Sequence, residues 1–331
     1  MKSPEMLILD EPFAGLDVSS RMTIQETIEG LMTEGMQVLL VTHRQEEIFP
    51  LISNIICIRD GKIFLQGLRN EVLTPGNLKR LYSRRKNENR LCLTRDHNRS
   101  AITDRSPEII VNMNQVTVKY GDITILDRLD WTVKRGENWA VVGPNGSGKS
   151  TLLSLITADN PQAYANEIYL FGQRRGTGES IWEIKRYIGM ISSELQIRYK
   201  RDIKAYDVTA SGLFDSVGLY RRLTSEQKRH VSQWLNFFGI AEMAERIFTR
   251  LSYGERRMIL LARAMVKSPE MLILDEPCQG LDRNNRHLLL EMVEMIGSQT
   301  DTTIIYVTHF EDEIPKCVNH FLHLKRTAVD L

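Results

Sequence analysis

The sequence is poor in cysteine and in long apolar runs. Its 331 residues include four cysteines without a C-x-x-C pair, at Cys57, Cys92, Cys278 and Cys317. This scatter indicates neither a zinc site nor a disulfide framework, so we expect buried, reduced thiols. No apolar run approaches the ~18 residues that a membrane span needs. The chain is therefore predicted to have no membrane span of its own.

Net charge is also nearly absent. Lys+Arg 43 against Asp+Glu 42 leaves a formal charge of +1, which gives no argument for nucleic acid or anionic lipid as a partner. The first apolar stretch, residues 6–9, is too short for a signal peptide, which predicts a cytoplasmic protein. A composition of 42% hydrophobic and 26% charged residues is typical of a soluble protein. The length is sufficient for two domains.

An exact internal repeat relates the two ends of the chain. Residues 2–12 (KSPEMLILDEP) recur letter for letter at 267–277, and both copies continue to Gly-Leu-Asp. The triplet Val-Thr-His at 41–43 recurs at 307–309. Because only Met1 precedes the first copy, we expect a tandem protein that is truncated at its N terminus, with a first unit that lacks its front half.

These observations predict three parts. Residues 1–82 are the remnant of a first unit, 83–106 a basic linker, and 107–331 a complete second unit. In the remnant, apolar runs flank a helical pattern at 19–33, the order of a parallel β-α-β unit. Acidic residues interrupt the basic linker and no aromatic partner accompanies it, so a solvated linker is favoured and no direct nucleic-acid binding is expected.

One stretch of the second unit matches every fixed position of the phosphate-binding loop G-x-x-x-x-G-K-[ST]. It consists of Gly143, Pro144, Asn145, Gly146, Ser147, Gly148, Lys149, Ser150 and Thr151. An apolar run precedes it and a helical pattern follows, as the motif requires. Its glycines allow backbone N–H groups to face a phosphate at a helix N-terminus. We expect ATP there, with Lys149 on the β and γ phosphates and the Ser150 hydroxyl on Mg²⁺.

Two further apolar runs end in side chains suited to hydrolysis. Asp275 and Glu276 follow residues 271–274, and His309 follows residues 303–308. We expect Asp275 to hold Mg²⁺ directly or through water, Glu276 to act as general base toward water, and His309 to bond the γ-phosphate. A plain turn and a buried core histidine are the alternatives. The repeat and the order of the motifs favour the catalytic interpretation.

Together these motifs resemble the nucleotide-binding domain of ABC (ATP-binding cassette) ATPases. The resemblance implies an α/β P-loop NTPase fold of the ABC-cassette type, with a RecA-like parallel core, an antiparallel β subdomain and a helical subdomain. Leu251-Ser-Tyr-Gly-Glu255 is similar to the family signature LSGGE, with Tyr253 in place of the first glycine. Ser252 and Gly254 are then implied to contact nucleotide.

The same resemblance assigns three further roles and leaves one open. It implies that Asp282 is the D-loop aspartate, His309 the switch histidine and Tyr120 the aromatic that stacks on adenine. The family expects the Q-loop glutamine near position 193, where this chain has Ser193, with Glu194 and Gln196 nearby. Which of them contacts Mg²⁺ or water stays open.

Within the family, residues 169–182, 212–220 and 262–264 are similar to tandem cassette proteins associated with molybdate transport. That similarity implies an ATPase that drives import of a small solute such as molybdate through separate membrane permease subunits, in the cytoplasm or peripheral at the inner face of the plasma membrane. The alternatives are a soluble paired-cassette ATP switch with a regulatory role, and an ATP-binding remnant with poor turnover. Because cassettes of this family close each nucleotide between the phosphate loop of one and the signature of another, a homodimer through the second unit is implied.

Overall fold

The computed structural model describes residues 4–13, 15–59, 61–82, 107–192, 195–196, 199 and 202–325. The predicted linker, 83–106, lies outside them. The described residues group into two compact units, residues 4–82 with 279–288, and residues 107–278 with 289–325. For the two halves of the repeat we keep the names first unit (residues 4–82) and second unit (residues 107–325). The domain boundaries drawn from the sequence stay a prediction.

The first unit contains two small sheets. Its described elements are β1 (Met6–Asp10), α1 (Val18–Thr33), β2 (Gln37–Val41), β3 (Asn54–Arg59), β4 (Lys62–Leu68), α2 (Arg69–Val72) and α3 (Pro75–Tyr82). Strands β1 and β2 are parallel, and β3 and β4 form the predicted antiparallel hairpin. Phe13, Ile28 and Phe49 form the core of this unit, with Leu9, Val38 and Leu40 packed against them.

The second unit is larger. Its described strands are β5 (Ile109–Tyr120), β6 (Ile123–Lys134), β7 (Trp139–Val142), β8 (Glu167–Leu170), β9 (Gln173–Arg174), β10 (Ile188–Ile191), β11 (Met271–Asp275), β12 (Thr303–Thr308) and β13 (His320–His323). Its described α-helices are α4 (Lys149–Ile156), α5 (Ile181–Tyr187), α6 (Ala205–Ser211), α7 (Ser225–Phe237), α8 (Tyr253–Met265) and α9 (Arg283–Gln299).

A parallel five-stranded sheet in the order β10-β11-β12-β7-β13 forms the centre of this unit. A second, antiparallel sheet has the order β6-β5-β8-β9, and helices α6, α7 and α8 pack on one another. One apolar core joins the two sheets and α4. The expected parallel core, antiparallel subdomain and helical segment are thus confirmed.

Two boundaries differ from the sequence-based prediction. Strand β6 begins at Ile123, whereas the alternating pattern indicated only residues 131–133, because Gln115 (φ 49°) and Arg128 (φ 47°) occur where the β5–β6 register shifts and interrupt the alternation. Helix α8 begins at Tyr253 rather than at the predicted residue 256, because the side chains of Ser252 and Glu255 form a capping box.

Helix α7 buries the apolar face that the spacing of its hydrophobic residues predicts. Val231, Trp234, Leu235 and the following Phe238 are all buried, and Thr224 caps the helix by accepting a hydrogen bond from the Gln227 backbone N–H at 3.2 Å. The aromatic residues of this segment are therefore core residues.

The described cysteines are thiols and form no disulfide. Cys278 is buried, whereas Cys57 and Cys317 are half-buried. Burial raises the pKa of Cys317 to about 12, so the thiolate is scarce at neutral pH. Cys92 lies outside the described residues. In the part of the chain that the structure covers, no helix is both long and apolar enough to cross a membrane.

The side chain of Asn138 joins segments that are distant in sequence. Its Nδ2 donates to the Cys317 carbonyl at 3.0 Å, and its Oδ1 accepts from the Ile304 N–H at 2.9 Å. Asn138 is buried, so water cannot replace either bond.

We expect Asn138→Ala to lower the free energy of unfolding by about 1–3 kcal/mol, because it leaves the buried Ile304 N–H and the part-buried Cys317 carbonyl without this partner. Urea denaturation followed by circular dichroism measures this. Asn112→Ala is the control, since Asn112 accepts only one side-chain bond, from Thr132. Equal losses in the two variants would contradict the role given to Asn138.

Candidate active site

The predicted catalytic residues follow neighbouring parallel strands. Val142 at the end of β7 is paired with Thr308 on β12, and Asp275 at the end of β11 is paired with Val307. Because parallel strands end at the same edge of a sheet, the phosphate loop, Glu276 and His309 all leave the sheet at that edge.

The phosphate loop needs its glycines. Gly146 (φ 79°) and Gly148 (φ 93°) have left-handed backbone conformations, and Gly148 leads directly into α4. A Cβ atom at Gly143 would lie 2.5 Å from the Leu324 carbonyl oxygen, and one at Gly148 would lie 2.9 Å from the Leu126 side chain. At Gly143 and Gly148 there is therefore no room for a side chain, so only the backbone can face a ligand at these two positions.

Polar groups of the loop are positioned for an anion. Lys149 is buried, and its Nζ donates to the carbonyls of Gly143 (2.6 Å) and Pro144 (3.0 Å). The Ser147 hydroxyl is buried and has no hydrogen-bond partner in the described residues. Pro144, Asn145, Gly146 and Ser150 are exposed, and Thr151 is half-exposed. A buried ammonium and an unpaired hydroxyl under an exposed glycine-rich turn fit an incoming phosphate.

Glu276 and His309 form a pair. His309 Nδ1 lies 2.8 Å from Glu276 Oε1, and the two side chains are only 3% and 18% exposed. Because a carboxylate can only accept, Nδ1 carries the proton. His309 Nε2 is buried without a hydrogen-bond partner among the described residues. One ring nitrogen is thus fixed by Glu276, and the other remains available to a ligand.

Glu276 has an unusual backbone. Its φ is 46°, a left-handed value that costs a residue other than glycine about 1–3 kcal/mol, and its N–H donates to the Val307 carbonyl at 3.0 Å. This bond holds the turn after β11 against β12.

Asp275 and Ser150 are the candidate Mg²⁺ ligands. Asp275 is half-exposed at the end of β11, and Ser150 is exposed in the first turn of α4. In the described ranges no three His, Cys, Asp or Glu residues cluster as a protein-only metal site. Mg²⁺ is usually held by one or two side-chain oxygens together with substrate phosphates, and this donor set fits that mode.

Tyr120 lies at the end of β5 with its side chain 53% exposed. Its hydroxyl accepts a hydrogen bond from Asn160 Nδ2 at 3.2 Å, and the same Nδ2 donates to Ser154 on α4 at 3.2 Å. The aromatic ring is thus connected to the helix that follows the phosphate loop. Asn160 has no functional signal in the sequence, because an Asn-Pro pair is a common turn signal.

The signature forms the beginning of α8. Ser252 accepts a hydrogen bond from the Glu255 N–H at 3.2 Å, and Gly254 is buried. Burial alone would raise the pKa of Glu255, but hydrogen bonds from Ser252 and Arg246 lower it, so the capping carboxylate is ionised. Within the described residues, neither Ser252 nor Gly254 forms a hydrogen bond with the phosphate loop. The nucleotide-contacting role implied for Ser252 and Gly254 stays a prediction.

The remaining predicted residues have local partners or lie outside the description. Asp282 caps α9 by accepting from the N–H groups of Asn284 and Asn285, both at 2.9 Å. Ser193 and Glu194 are outside the described residues. Gln196 is buried and its Oε1 has no partner in that part of the structure. The residue that fills the Q-loop role therefore stays open.

Comparison with known proteins identifies the family. The family model for ABC transporters matches residues 126–279. ModF, an ABC transporter ATP-binding protein of Escherichia coli, is 41% identical over 325 residues, which cover 97% of this chain and 66% of ModF. YmeB, an uncharacterised ABC transporter ATP-binding protein of Lactococcus lactis, is 34% identical over 66% of this chain and 85% of YmeB.

A solved structure of a dimeric ATP-binding cassette bound to ADP and phosphate superposes with a TM-score of 0.55 at 22% identity, covering 67% of this chain and 97% of that one. This similarity shows the fold. The chain spans slightly less than two thirds of ModF. With a third or more of its residues identical to family members along most of its own length, the chain belongs to the ABC transporter ATP-binding proteins, a family of cassette ATPases.

Proposed function

We propose that the second unit binds MgATP and hydrolyses it to ADP and phosphate. The observation that carries this proposal is the Glu276–His309 hydrogen bond, at the sheet edge where the phosphate loop also begins. Membership of a family of cassette ATPases supports it.

Binding uses the loop and the sheet edge. Lys149 exchanges its two carbonyl partners for β- and γ-phosphate oxygens, and the N–H groups at the start of α4 face the same anion. Tyr120 lies against adenine. Ser150 and Asp275 hold Mg²⁺, which when bound neutralises part of the charge on the phosphates.

Hydrolysis uses the paired side chains. Water attacks the γ-phosphorus, the bond from that phosphorus to the bridging oxygen breaks, and Glu276 accepts the proton of the water. His309, with Nδ1–H held by Glu276, presents Nε2 to the γ-phosphate and donates to it when both ring nitrogens carry protons. The Glu276–His309 hydrogen bond thus holds the base, Glu276, at a fixed position relative to the γ-phosphate that His309 contacts.

We expect Lys149→Ala to abolish measurable MgATP binding, a loss of roughly 100-fold or more, because two charge-assisted contacts disappear. Equilibrium titration with a fluorescent ATP analogue measures it. Lys134→Ala is the control, since Lys134 is exposed and makes only a 3.5 Å surface pair with Glu108. Undiminished affinity in Lys149→Ala would overturn the assignment of the loop.

We expect Glu276→Gln to retain MgATP affinity within about threefold but to lower turnover by about 10²–10⁴-fold, because the base is lost while the metal ligand stays. Phosphate release and nucleotide titration measure the two quantities separately. Glu11→Gln is a matched control, since Glu11 pairs with His43 as Glu276 does with His309. Parent-level turnover in Glu276→Gln would show that another group orients the water.

The second units of two chains are proposed to pair head to tail. The printed sequence contains one phosphate loop and one signature, and the signature is not joined to the loop by a hydrogen bond within a described second unit. A twofold-symmetric dimer supplies each loop with the partner's signature. Dimeric pairing of a cassette in a solved relative supports this.

This dimer predicts complementation. Lys149→Ala and Ser252→Arg chains, each inactive alone, should regain activity on mixing, because the mixed dimer contains one site free of both substitutions. The rate per parent chain should also fall on dilution. Two results together would contradict the dimer: no recovery of activity on mixing, and a rate per chain that does not change on dilution. They would indicate a monomeric ATPase or a poorly active remnant.

We further propose that the cassette couples ATP hydrolysis to the import of a solute at the inner face of the plasma membrane. Molybdate is the candidate solute. The similarity to ModF, an ABC transporter ATP-binding protein, along 97% of the chain supports a transport role. The choice of molybdate rests on the sequence resemblance of residues 169–182, 212–220 and 262–264. A cavity of about 430 Å³ lined by Trp182, Arg186, Phe214, Tyr220 and Arg221 offers a surface for a permease segment. Trp182 is 67% and Tyr220 75% exposed, as expected for side chains that a partner covers.

Uptake of labelled molybdate by cells of the source organism tests this role. Deletion of the gene should lower uptake, the parent gene should restore it, and Trp182→Ala with Tyr220→Ala should fail to restore it while ATPase activity stays normal. Tyr164→Ala, another exposed aromatic, is the control. Unchanged uptake after deletion would favour the soluble ATP switch.

A further inference from the structure

Three carboxamide side chains hold the end of strand β5, where Tyr120 lies. They belong to Asn160, Gln162 and Asn166, on the segment between α4 and β8. Strand β8 pairs with β5 at residues 111–114. Further along β5, the three carboxamides take the place of β8 as its partners. We call these three side chains the carboxamide clasp.

Two members of the clasp form the hydrogen bonds that a neighbouring strand would form. Asn166 Oδ1 accepts from the Thr117 N–H at 2.8 Å, and its Nδ2 donates to the Thr117 carbonyl at 3.0 Å. Gln162 Oε1 accepts from the Lys119 N–H at 3.1 Å, and its Nε2 donates to the Lys119 carbonyl at 2.8 Å. Each carboxamide thus pairs with both backbone groups of one residue, as a residue in an adjacent antiparallel strand does. These four bonds fix the backbone up to the residue before Tyr120.

The third member, Asn160, holds the side chain of Tyr120 itself. Its Nδ2 donates to the Tyr120 hydroxyl and to Ser154 Oγ, both at 3.2 Å, and its Oδ1 accepts from the Gln162 N–H at 3.0 Å. Ser154 in turn donates to the Thr151 carbonyl at 2.7 Å. Asn160 is 5% exposed, so its amide depends on these protein partners. A chain of hydrogen bonds therefore runs from the end of the phosphate loop, through Ser154 and Asn160, to the ring hydroxyl.

The end of β5 is also tied to the phosphate loop through strand β6. Tyr120 is opposite Ile123, and Val118 is opposite Leu126. A Cβ atom at Gly148 would lie 2.9 Å from the Leu126 side chain, so β6 packs on the loop at that glycine. The Tyr120 side chain is 53% exposed although its hydroxyl is held. An exposed aromatic ring, fixed at its polar end near a phosphate cradle, suits a nucleobase, because every base has a flat face that stacks on aromatic rings.

We propose that Asn160, Gln162 and Asn166 are positioning residues for the nucleotide base. They hold the ring of Tyr120 at a fixed place relative to the phosphate loop, so that the ring stacks on adenine while the loop binds the triphosphate. A ring that is already in place loses less conformational freedom when the ligand binds, which raises affinity. This role rests on the function proposed above, because it needs MgATP at the loop and adenine against Tyr120. The clasp acts through the base alone.

Two ligands that differ only in the nucleoside test this role. Titration calorimetry with MgATP and with magnesium tripolyphosphate, which has the phosphates but no base, gives a ratio of dissociation constants for each chain. The parent should bind ATP about tenfold or more tightly than tripolyphosphate. Tyr120→Phe keeps the ring but loses the hydroxyl that Asn160 holds, so this ratio should fall about threefold or more while tripolyphosphate affinity stays unchanged.

Gln162→Leu tests the backbone part of the clasp. It should lower the same ratio about threefold or more, because the N–H and carbonyl of Lys119 lose their partner. Asn112→Ala is the control, since it removes a carboxamide elsewhere on β5 that accepts only from Thr132, and it should leave the ratio unchanged. In a Tyr120→Ala chain, adding Gln162→Leu should change the ratio by less than about twofold, because the clasp has no ring left to hold.

The same titrations distinguish the clasp from the function proposed above. If the parent binds tripolyphosphate as tightly as ATP, or if Tyr120→Ala leaves the ratio unchanged, adenine does not lie against Tyr120 and both proposals fail there. If Tyr120→Ala lowers the ratio but Tyr120→Phe and Gln162→Leu keep the parent value, the proposed function stands and the positioning role is overturned. An equal loss of affinity for both ligands in Tyr120→Phe and Gln162→Leu, or a further fall of the ratio when Gln162→Leu is added to Tyr120→Ala, would also overturn it.

Discussion

The hydrogen-bond register of β7, β12 and β11 determines where each candidate catalytic group lies. Val142 is opposite Thr308, and Asp275 is opposite Val307, so the next residues along each strand leave the sheet side by side. A shift of one residue in either pairing would send alternate side chains to the other face and separate Glu276 from His309. The tight contact between Gly143 and the Leu324 carbonyl fixes the phosphate loop at the same edge.

Comparison of the two copies of the repeat shows which structural features depend on the local sequence and which depend on neighbouring elements. Both copies form the parallel strand pair in the same register, the left-handed glutamate and the Glu–His hydrogen bond. These features depend on a few residues and on pairing between two strands. Burial of the strands differs completely, because it requires the strand, loop and helix that only the second unit contains among the described residues.

Much of the candidate site can be predicted from the spacing of residues in the sequence. The phosphate loop is a contiguous pattern, and the acidic pair and the histidine follow apolar runs typical of buried parallel strands. The Glu276–His309 bond could not be predicted in the same way, since the residues are far apart in sequence and meet only through the β11–β12 register. Likewise, the support of Tyr120 by Asn160 depends on the path of the chain after α4, and the true start of β6 was hidden by residues with positive φ.

The structure of the Glu276→Gln chain with MgATP tests the central claim most directly. The account predicts that Lys149 Nζ leaves the carbonyls of Gly143 and Pro144 for the β- and γ-phosphates, that Ser150 and Asp275 face the metal, and that His309 Nε2 lies within hydrogen-bond distance of the γ-phosphate. Nucleotide bound elsewhere, or bound at the loop with Nε2 of His309 still unpartnered, would contradict it.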